Sequence, residues 1–263
     1  MIDIYDLYEE AVQDPKKEVA FLARVYKTLR KKNPVVLRED FCGTFLNSAF
    51  WVKSKPNRKA IAVDKDRRVL RIGEERNLAG LTSDEKKRLK FICSDVIRVK
   101  CGKSDITAIL NFSIGYFHKR ELLVKYFKHL RRSLNPGGIV CLDLLGGYEV
   151  EDDTYEKRII SLKSAGKFWY IWEQHGFDPI QRRVKFTISF KSTKGKLFKN
   201  VFTYDWRLWS IPELKDIFQE AGFKHTHVYW EGDDENGSGN GIYTRRTKVD
   251  NCEVWVAYLV AEK

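Results

Sequence analysis

Acidic residues at the ends of two apolar segments are the side chains whose spacing points most clearly to chemistry in this chain. Glu39 and Asp40 end the segment that begins at Val35, and a turn at Gly43 follows. Asp64 ends the second segment, about 20 residues beyond that glycine, as in a nucleoside-binding βαβ unit. A strand–turn–helix unit directs backbone N–H groups and a carboxylate toward the sheet edge, so the sequence predicts a ligand site there.

Alternating strands and helices must hold these carboxylates in place. The predicted elements are helices at 3–14 and 16–31, a strand at 35–39, a helix at 43–54, a strand at 59–64, a helix at 66–79, strands at 89–94 and 106–112, a helix at 119–134 and a strand at 138–145. Their order is typical of an α/β protein with a parallel, doubly wound sheet. The strands are nearly continuous apolar runs, as expected when helices cover both faces of the sheet.

The sequence pattern changes after Gly147. Apolar and polar residues then alternate in three segments separated by turn formers, at 167–175, 182–190 and 197–206. We interpret these segments as an antiparallel β lid inserted into the α/β unit. The chain closes with a helix and two strands, at 211–221, 225–230 and 253–261. A glycine-rich, acidic loop from Glu231 to Gly241 separates the last two strands, and we interpret it as mobile.

Composition excludes several classes of protein. The chain has 263 residues, 43% of them hydrophobic and 13% aromatic, which is enough for an ordered core. No apolar run has the length of a membrane span, and the acidic N-terminus lacks the basic start of a secretory signal, so we expect a cytoplasmic protein. Five scattered cysteines without a CxxC pair indicate reduced, structural thiols and no metal site.

The formal net charge of +12 would suit a polyanionic partner. The lysines are, however, dispersed along the chain, and the local basic clusters fall on predicted solvated faces. Binding of a nucleic acid is therefore an alternative that the charge alone does not favour.

The order of elements, together with Cys42-Gly43-Thr44 after the first strand, resembles the class I S-adenosylmethionine-dependent methyltransferases. The resemblance covers nearly the whole chain and implies a Rossmann-like, doubly wound, mostly parallel sheet with an antiparallel last strand. Glu39 falls on the acidic position of the family and Gly43 on its central glycine, whereas Phe41 and Phe45 replace the flanking glycines. Further matches are Asn135-Pro136-Gly137-Gly138 and Ala221-Gly222-Phe223. A combination of three motifs resembles a subgroup with the architecture of small-molecule enzymes: Glu39-Asp40-Phe41-Cys42-Gly43-Thr44, Asn111-Phe112-Ser113 and Tyr204-Asp205-Trp206-Arg207-Leu208-Trp209.

The resemblance also implies a division of the chain and a cofactor, S-adenosylmethionine. N-terminal helices (1–34) would cover the cofactor site, an α/β core (35–147) would bind the cofactor, the inserted lid (148–210) would select the substrate, and residues 211–263 would complete the core. Asp64 would hold both ribose hydroxyls, since a carboxylate can accept two hydrogen bonds from a diol. Asp95 would contact the adenine amino group, and Glu39 the methionine end. The full implied cofactor set is Tyr8, Gln13, Glu39, Phe41, Cys42, Gly43, Thr44, Asp64, Ser94, Asp95, Asn111, Phe112 and Ser113.

Nicotinamide dinucleotides are the competing ligands, because the distance from Gly43 to Asp64 also suits them. They require a G-x-G-x-x-G turn so that the backbone can approach a pyrophosphate. This turn has one glycine and no phosphate-binding run, which favours a nucleoside without phosphates.

Aromatic residues are concentrated in the predicted lid. Phe168, Tyr170 and Trp172 share one strand face, as do Phe202, Tyr204 and Trp206. We expect one of these faces to form the lid's own core and the other to line an acceptor pocket. The predicted substrate contacts are Tyr170, Trp172, Trp206 and Arg207, where Arg207 would bind an acceptor carboxylate or instead pair with Asp205 or a nearby acid.

The predicted catalytic residues are Asn111, which faces the transferred methyl group by the resemblance, and the proton acceptors Glu173 and His175, with His118 as a further candidate. The predicted function is methyl transfer from S-adenosylmethionine to a small molecule, with nitrogen slightly favoured over oxygen as acceptor. The alternatives are an RNA or protein methyltransferase, suggested by the charge, and a nucleoside-binding module without catalysis, suggested by the altered glycine turn.

Overall fold

A computed structural model describes residues 3–235 and 239–263. Its α-helices are α1 (Ile4–Val12), α2 (Pro15–Arg30), α3 (Leu46–Ser54), α4 (Arg67–Gly73), α5 (Ser83–Arg88), α6 (Arg120–Ser133) and α7 (Ile211–Glu220). Its strands are β1 (Val36–Asp40), β2 (Lys59–Asp64), β3 (Leu89–Cys93), β4 (Ser104–Ile109), β5 (Leu134–Gly146), β6 (Thr154–Leu162), β7 (Gly166–Asp178), β8 (Arg183–Ser192), β9 (Leu197–Arg207), β10 (His225–Asp233), β11 (Gly239–Arg246) and β12 (Trp255–Glu262). A π-helical turn, Glu74–Leu78, continues α4, and a 3₁₀ turn, Ser113–Tyr116, follows β4.

The main sheet has eight strands in the order β11-β10-β12-β5-β4-β1-β2-β3. Strands β1 to β5 are parallel, whereas β12 runs antiparallel to β5 and β10 antiparallel to β12. The predicted fold class is therefore confirmed. Because β1 pairs with both β2 and β4, the strand order reverses beside β1, and this is the point where open α/β sheets bind ligands.

Two apolar layers cover the faces of this sheet. Helices α2 and α3 form one layer, in which Phe21, Tyr26 and Trp51 are buried. Helices α6 and α7 form the other layer, in which the rings of Phe127 and Phe218 stack at 4.1 Å. Burial of both faces accounts for the continuous apolar runs in the sequence.

The lid is an antiparallel sheet of four strands, β6-β7-β8-β9, one more than predicted. The sequence of β6 does not alternate clearly, and most of its side chains are exposed, so its pattern gave no strand signal. Strand β11 was also missed: β10 continues to Asp233 and β11 begins at Gly239, within the loop predicted to be mobile. The part of that prediction that concerns Asn236 to Ser238 lies outside the described residues.

The two aromatic triplets predicted in the lid lie on a single face of its sheet. Pairing places Trp172, Ile188 and Phe202 side by side across three strands, so the two predicted faces are one. One end of this face packs on α1, where Leu7 and Phe168 are fully buried. The same face therefore packs in the lid's own core at one end and lines a cavity at the other. Our expectation that two separate faces would do this was wrong.

No α-helix in the described part of the chain is long and apolar enough to cross a membrane. All five cysteines are free thiols.

Candidate active site

Two cavities of similar size meet beneath the lid. The edge cavity, of about 520 Å³, lies at the carboxyl ends of β1, β2, β3 and β4 and is lined by residues that include Phe41, Gly43, Asp64, Asp95 and Ser113. The lid chamber, of about 500 Å³, lies between the lid and the sheet and is lined by residues that include Glu18, Asp143, Tyr170, Trp172 and Tyr258. Four residues line both cavities: Tyr8, Asn111, Tyr204 and Trp206.

Asp64 lies at the carboxyl end of β2, where it fixes the turn after β1. Its Oδ2 accepts a hydrogen bond from Gly43 N at 2.9 Å, and its Oδ1 accepts one from Asp66 N at 2.9 Å. Burial raises the pKa of this carboxyl above its usual value. Each oxygen keeps a free lone pair, so Asp64 can still accept hydrogen bonds from a diol in the edge cavity. Asp95 and Ser94 line the same cavity.

Phe41 and Phe45 have the backbone conformation that glycine usually supplies. Their φ angles are +57° and +51°, in the left-handed region that bulky residues rarely occupy. Phe45 is fully buried and its ring stacks on Phe91 at 5.3 Å, which moves it out of the edge cavity. Phe41 lines that cavity, with its ring against Tyr116. The turn therefore leaves room for a ligand without the usual glycines.

Glu39 lies beneath the turn after β1, and it is not among the residues that line either cavity. Its Oε2 accepts hydrogen bonds from Ser48 N at 3.0 Å and Ser48 Oγ at 2.5 Å. Burial raises the pKa of this carboxyl to about 7. Its direct contact with a cofactor stays a prediction, whereas Cys42, Gly43 and Thr44 do line the edge cavity.

Helix α1 covers the junction of the two cavities. Glu9 holds the helix to the turn after β1, because its Oε1 accepts hydrogen bonds from Thr44 Oγ1 and from Asn77 Nδ2. Tyr8, one residue earlier, is hydrogen-bonded to Tyr204 of the lid. Burial raises the pKa of both tyrosine hydroxyls, so they stay protonated at neutral pH and act as hydrogen-bonding groups. Gln13, which follows α1, also lines the edge cavity.

The turn after β4 is strained at the junction. Asn111 and Phe112 have φ angles of +57° and +55°. Asp143 of β5 holds both residues there: its Oδ2 accepts a hydrogen bond from Asn111 N at 2.7 Å, and its Oδ1 accepts one from Phe112 N at 2.8 Å. Strain of this kind persists only where the surroundings enforce it, and it is concentrated at functional sites. Phe112 lines the lid chamber, and Ser113 lines the edge cavity.

Solved structures resemble the chain over nearly its whole length. An S-adenosylmethionine-dependent methyltransferase from Clostridium acetobutylicum ATCC 824 is 18% identical, with a TM-score of 0.68 over 97% of this chain and 95% of that chain. An amino pentose methyltransferase from Micromonospora echinaspora (CalS10), solved with bound S-adenosylmethionine, is 13% identical, with a TM-score of 0.69 over 98% and 97%. The sugar N-methyltransferase KedS8 from Streptoalloteichus is 17% identical, with a TM-score of 0.64 over 98% and 93%.

The chain has the fold of the S-adenosylmethionine-dependent methyltransferases. Neither a protein-family model nor a curated protein of similar sequence matches it.

Within this methyltransferase fold, three of the four predicted substrate contacts line the lid chamber: Tyr170, Trp172 and Trp206. Arg207 lies outside both cavities. Its Nη1 donates to the carbonyl of His118 at 3.1 Å, and its Nη2 pairs with Glu213 at 3.2 Å. The guanidinium also stacks on Trp209 at 3.8 Å. Arg207 thus joins the lid to α7, and its acid partner is Glu213 rather than Asp205, which pairs with Arg183.

Replacing Arg207 with alanine is expected to lower the free energy of unfolding by about 1 kcal/mol, since the variant loses a partly exposed ion pair and one stacked contact. Affinity for S-adenosylhomocysteine should stay within twofold of wild type, because Arg207 does not line the edge cavity. Urea denaturation and titration calorimetry measure the two quantities. A loss of acceptor binding without a loss of stability would instead place Arg207 in the site.

The structure does not bring the predicted proton acceptors to either cavity. Glu173 and His175 alternate with Trp172 and Gln174 along β7, so they point away from the lid chamber. Glu173 accepts a hydrogen bond from Thr187 Oγ1 at 3.3 Å, and His175 is exposed. His118 Nε2 lies 2.8 Å from the carbonyl of Asp205, in the contact between the lid and the turn before α6.

Two acidic residues of the lid chamber were missed in the sequence. Asp143 interrupts the apolar run of β5, and a lone acid inside a strand that is buried on both faces is a signal that could have found it. Glu18 has the position of an ordinary acid in the first turn of α2, and only the packing of α2 against β11 and β12 brings it to the chamber.

Gly115 allows the lid to approach the turn after β4. A Cβ atom at this position would lie 2.6 Å from Cβ and Cγ of Trp206. Replacing Gly115 with alanine should therefore displace Trp206 from the junction and lower the free energy of unfolding by about 1–3 kcal/mol. The matched control is Gly102→Ala, whose new Cβ would meet its nearest neighbour, Ile61, at an ordinary 3.6 Å. Equal denaturation midpoints for the two variants would contradict this explanation.

Proposed function

We propose that this protein is an S-adenosylmethionine-dependent methyltransferase that acts on a small molecule, with nitrogen favoured over oxygen as the acceptor atom. The observation that carries the proposal is the junction of the two cavities, where Tyr8, Asn111, Tyr204 and Trp206 belong to both walls. A methyl donor in the edge cavity and an acceptor in the lid chamber would meet there, at the carboxyl end of β4. Holding both reactants in line at this point is the main contribution an enzyme can make to such a displacement.

The residues of the edge cavity fit the cofactor. Asp64 would accept hydrogen bonds from the ribose hydroxyls, and Asp95 with Ser94 would face the adenine amino group. The turn from Cys42 to Thr44 would lie along the methionine part. Gln13 lines this cavity, and its buried Oε1 has no hydrogen-bond partner in the described structure, which leaves it available to the methionine ammonium. The bound cofactor supplies an electrophilic methyl group on a sulfonium.

The shape of the lid chamber supports a small acceptor. Its volume, about 500 Å³, is typical of sites for small molecules, and the lid covers it. The preference for nitrogen is supported by the amino pentose methyltransferase and the sugar N-methyltransferase that share this fold.

Titration calorimetry with S-adenosylhomocysteine tests the cofactor, and methyl transfer from labelled S-adenosylmethionine into pools of metabolites and of RNA tests the reaction. We expect binding, and incorporation into the metabolite pool. Absence of binding would refute every form of the proposal. Binding without incorporation into either pool would favour the nucleoside-binding module, and label in RNA alone would favour the RNA methyltransferase.

A further inference from the structure

The lid chamber carries an excess of acidic side chains in a protein with a formal net charge of +12. Its charged lining residues are the acids Asp14, Glu18, Asp143, Glu149 and Glu156 and the bases Lys17 and Arg158. Both bases are exposed, whereas Asp143 is only 7% exposed. The inner part of the chamber is therefore lined by carboxyl groups, whereas its two bases lie toward solvent.

The two inner carboxylates, of Glu18 and Asp143, have no cationic partner in residues 3–235 and 239–263. Buried carboxylates are normally paired with a cation or saturated with hydrogen bonds. Asp143 comes closer to saturation, because each of its oxygens accepts a backbone N–H. Glu18 has weaker contacts: Oε1 accepts one long bond of 3.4 Å from Asp14 N, the amide of Asn47 faces the carboxyl, and the buried Oε2 accepts no bond of good geometry. Glu18 thus has unused acceptor capacity.

Aromatic rings form much of the rest of the wall. The lining includes Phe21 on α2, Tyr258 on β12, and Tyr170, Trp172, Tyr204 and Trp206 on the lid. The faces of such rings attract cations, and they do so more strongly where water is excluded. A chamber with aromatic walls and an unpaired carboxylate has the chemistry of a site for a small organic cation.

We propose, on the basis of the methyl transfer proposed above, that Glu18 binds the ammonium group of an amine acceptor and takes one of its protons. In this step an N–H bond breaks, an O–H bond forms on the Glu18 carboxylate, and the electron pair stays on nitrogen. The neutral nitrogen is then a nucleophile beside the junction. Asp143 adds a second carboxyl group to the wall, and its hydrogen bonds position Asn111 and Phe112.

The protonation behaviour of Glu18 agrees with this assignment. Burial raises its pKa to about 7, so both forms of the carboxyl are populated near neutral pH. The groups that face it are Asp14 and Lys17 at the start of α2, Glu39 on β1, Asn47 on α3, Asp143 on β5, Tyr243 on β11 and Tyr258 on β12.

The test compares amines with alcohols of the same shape. The probes are 2-phenylethylamine with 2-phenylethanol, and cyclohexylamine with cyclohexanol, titrated at pH 7 into protein saturated with S-adenosylhomocysteine and followed by ligand-observed NMR. In wild type we expect each amine to bind at least tenfold more tightly than its alcohol. Glu18→Gln keeps the size of the side chain and an acceptor for Asp14 N, and it should remove this preference. The control Glu10→Gln removes an equal charge from the exposed side of α1 and should keep the preference.

Other results would overturn the assignment. The assignment is wrong if the alcohols bind wild type as tightly as the amines do, or if the preference for amines survives in Glu18→Gln. It is also wrong if neither amine binds at millimolar concentration. The affinity for S-adenosylhomocysteine should be the same within twofold in all three proteins, which shows that the variants are folded. If wild type does not bind S-adenosylhomocysteine, the proposed function fails. An amine preference that depends on Glu18, measured without the nucleoside, would then still support the cation site.

Discussion

Replacing Asp64 with alanine is expected to weaken the binding of S-adenosylhomocysteine by about 1–3 kcal/mol, the range for hydrogen bonds to a charged group. The variant would lose the contacts that we propose with the ribose hydroxyls, and the turn would lose the bond from Gly43 N to Asp64 Oδ2. Titration calorimetry measures the difference directly. Asp64→Asn should recover part of the loss, because the amide oxygen can accept from a hydroxyl or from the turn.

The matched control for this prediction is Asp66→Ala. Asp66 lines the same cavity and is the N-cap of α4, where its Oδ1 accepts a hydrogen bond from Arg68 N at 2.8 Å. Its loss should lower stability by about 1 kcal/mol, as for other N-caps, with little effect on nucleoside affinity. If both variants weaken binding equally, Asp64 acts through the shape of the turn and not through the ribose.

Replacing Asp40 with alanine is expected to lower the free energy of unfolding by about 3–5 kcal/mol, the cost of leaving a buried charge without its partner. Arg38 is fully buried on β1, and its Nε and Nη2 donate to the two oxygens of Asp40 at 2.7 and 2.9 Å. Tyr126 donates its hydroxyl to the same carboxylate at 2.6 Å. The variant would leave the guanidinium and a buried hydroxyl uncompensated. Urea denaturation at neutral pH measures the change.

The double variant Arg38→Met, Asp40→Leu separates the effect of an unpaired buried charge from the effect of lost packing. Apolar residues of similar volume often replace a buried ion pair without loss of stability, so the double variant should be more stable than Asp40→Ala alone. If Asp40→Ala lowers the free energy of unfolding by less than about 1 kcal/mol, water reaches Arg38 and the ion pair is not shielded from solvent.

The main sheet could be predicted from the sequence because its strands are buried on both faces and therefore have continuous apolar runs. The same reasoning failed for β6, whose exposed residues do not alternate. It also failed for β11, because the first residues of this strand lie in the glycine-rich, acidic segment that we interpreted as a loop. Helix α5 has no buried residue, and only its capping box of Thr82 and Glu85 indicates it. Elements that bury little surface leave little pattern in a sequence.

The candidate site was predicted where it depends on strand ends. Asp64, Asp95 and Asn111 lie at successive carboxyl ends, and the structure brings them to one cavity. The positions of Glu18 and Arg207 could not be predicted, because each depends on packing between elements distant in the chain. The left-handed backbone of Phe41 and Phe45 was equally hidden, since local preference opposes it and only the tertiary contacts hold it.

Helix α1 belongs to both cavities at once. Leu7 and Ala11 are buried under the lid, Tyr8 lies in the shared wall, and Glu9 is held by the turn after β1. A displacement of this one helix would open the two cavities together. In the proposed reaction, departure of the spent donor and departure of the methylated product would then share a single opening motion, and the rate of that motion would limit turnover whenever it is slower than the transfer itself.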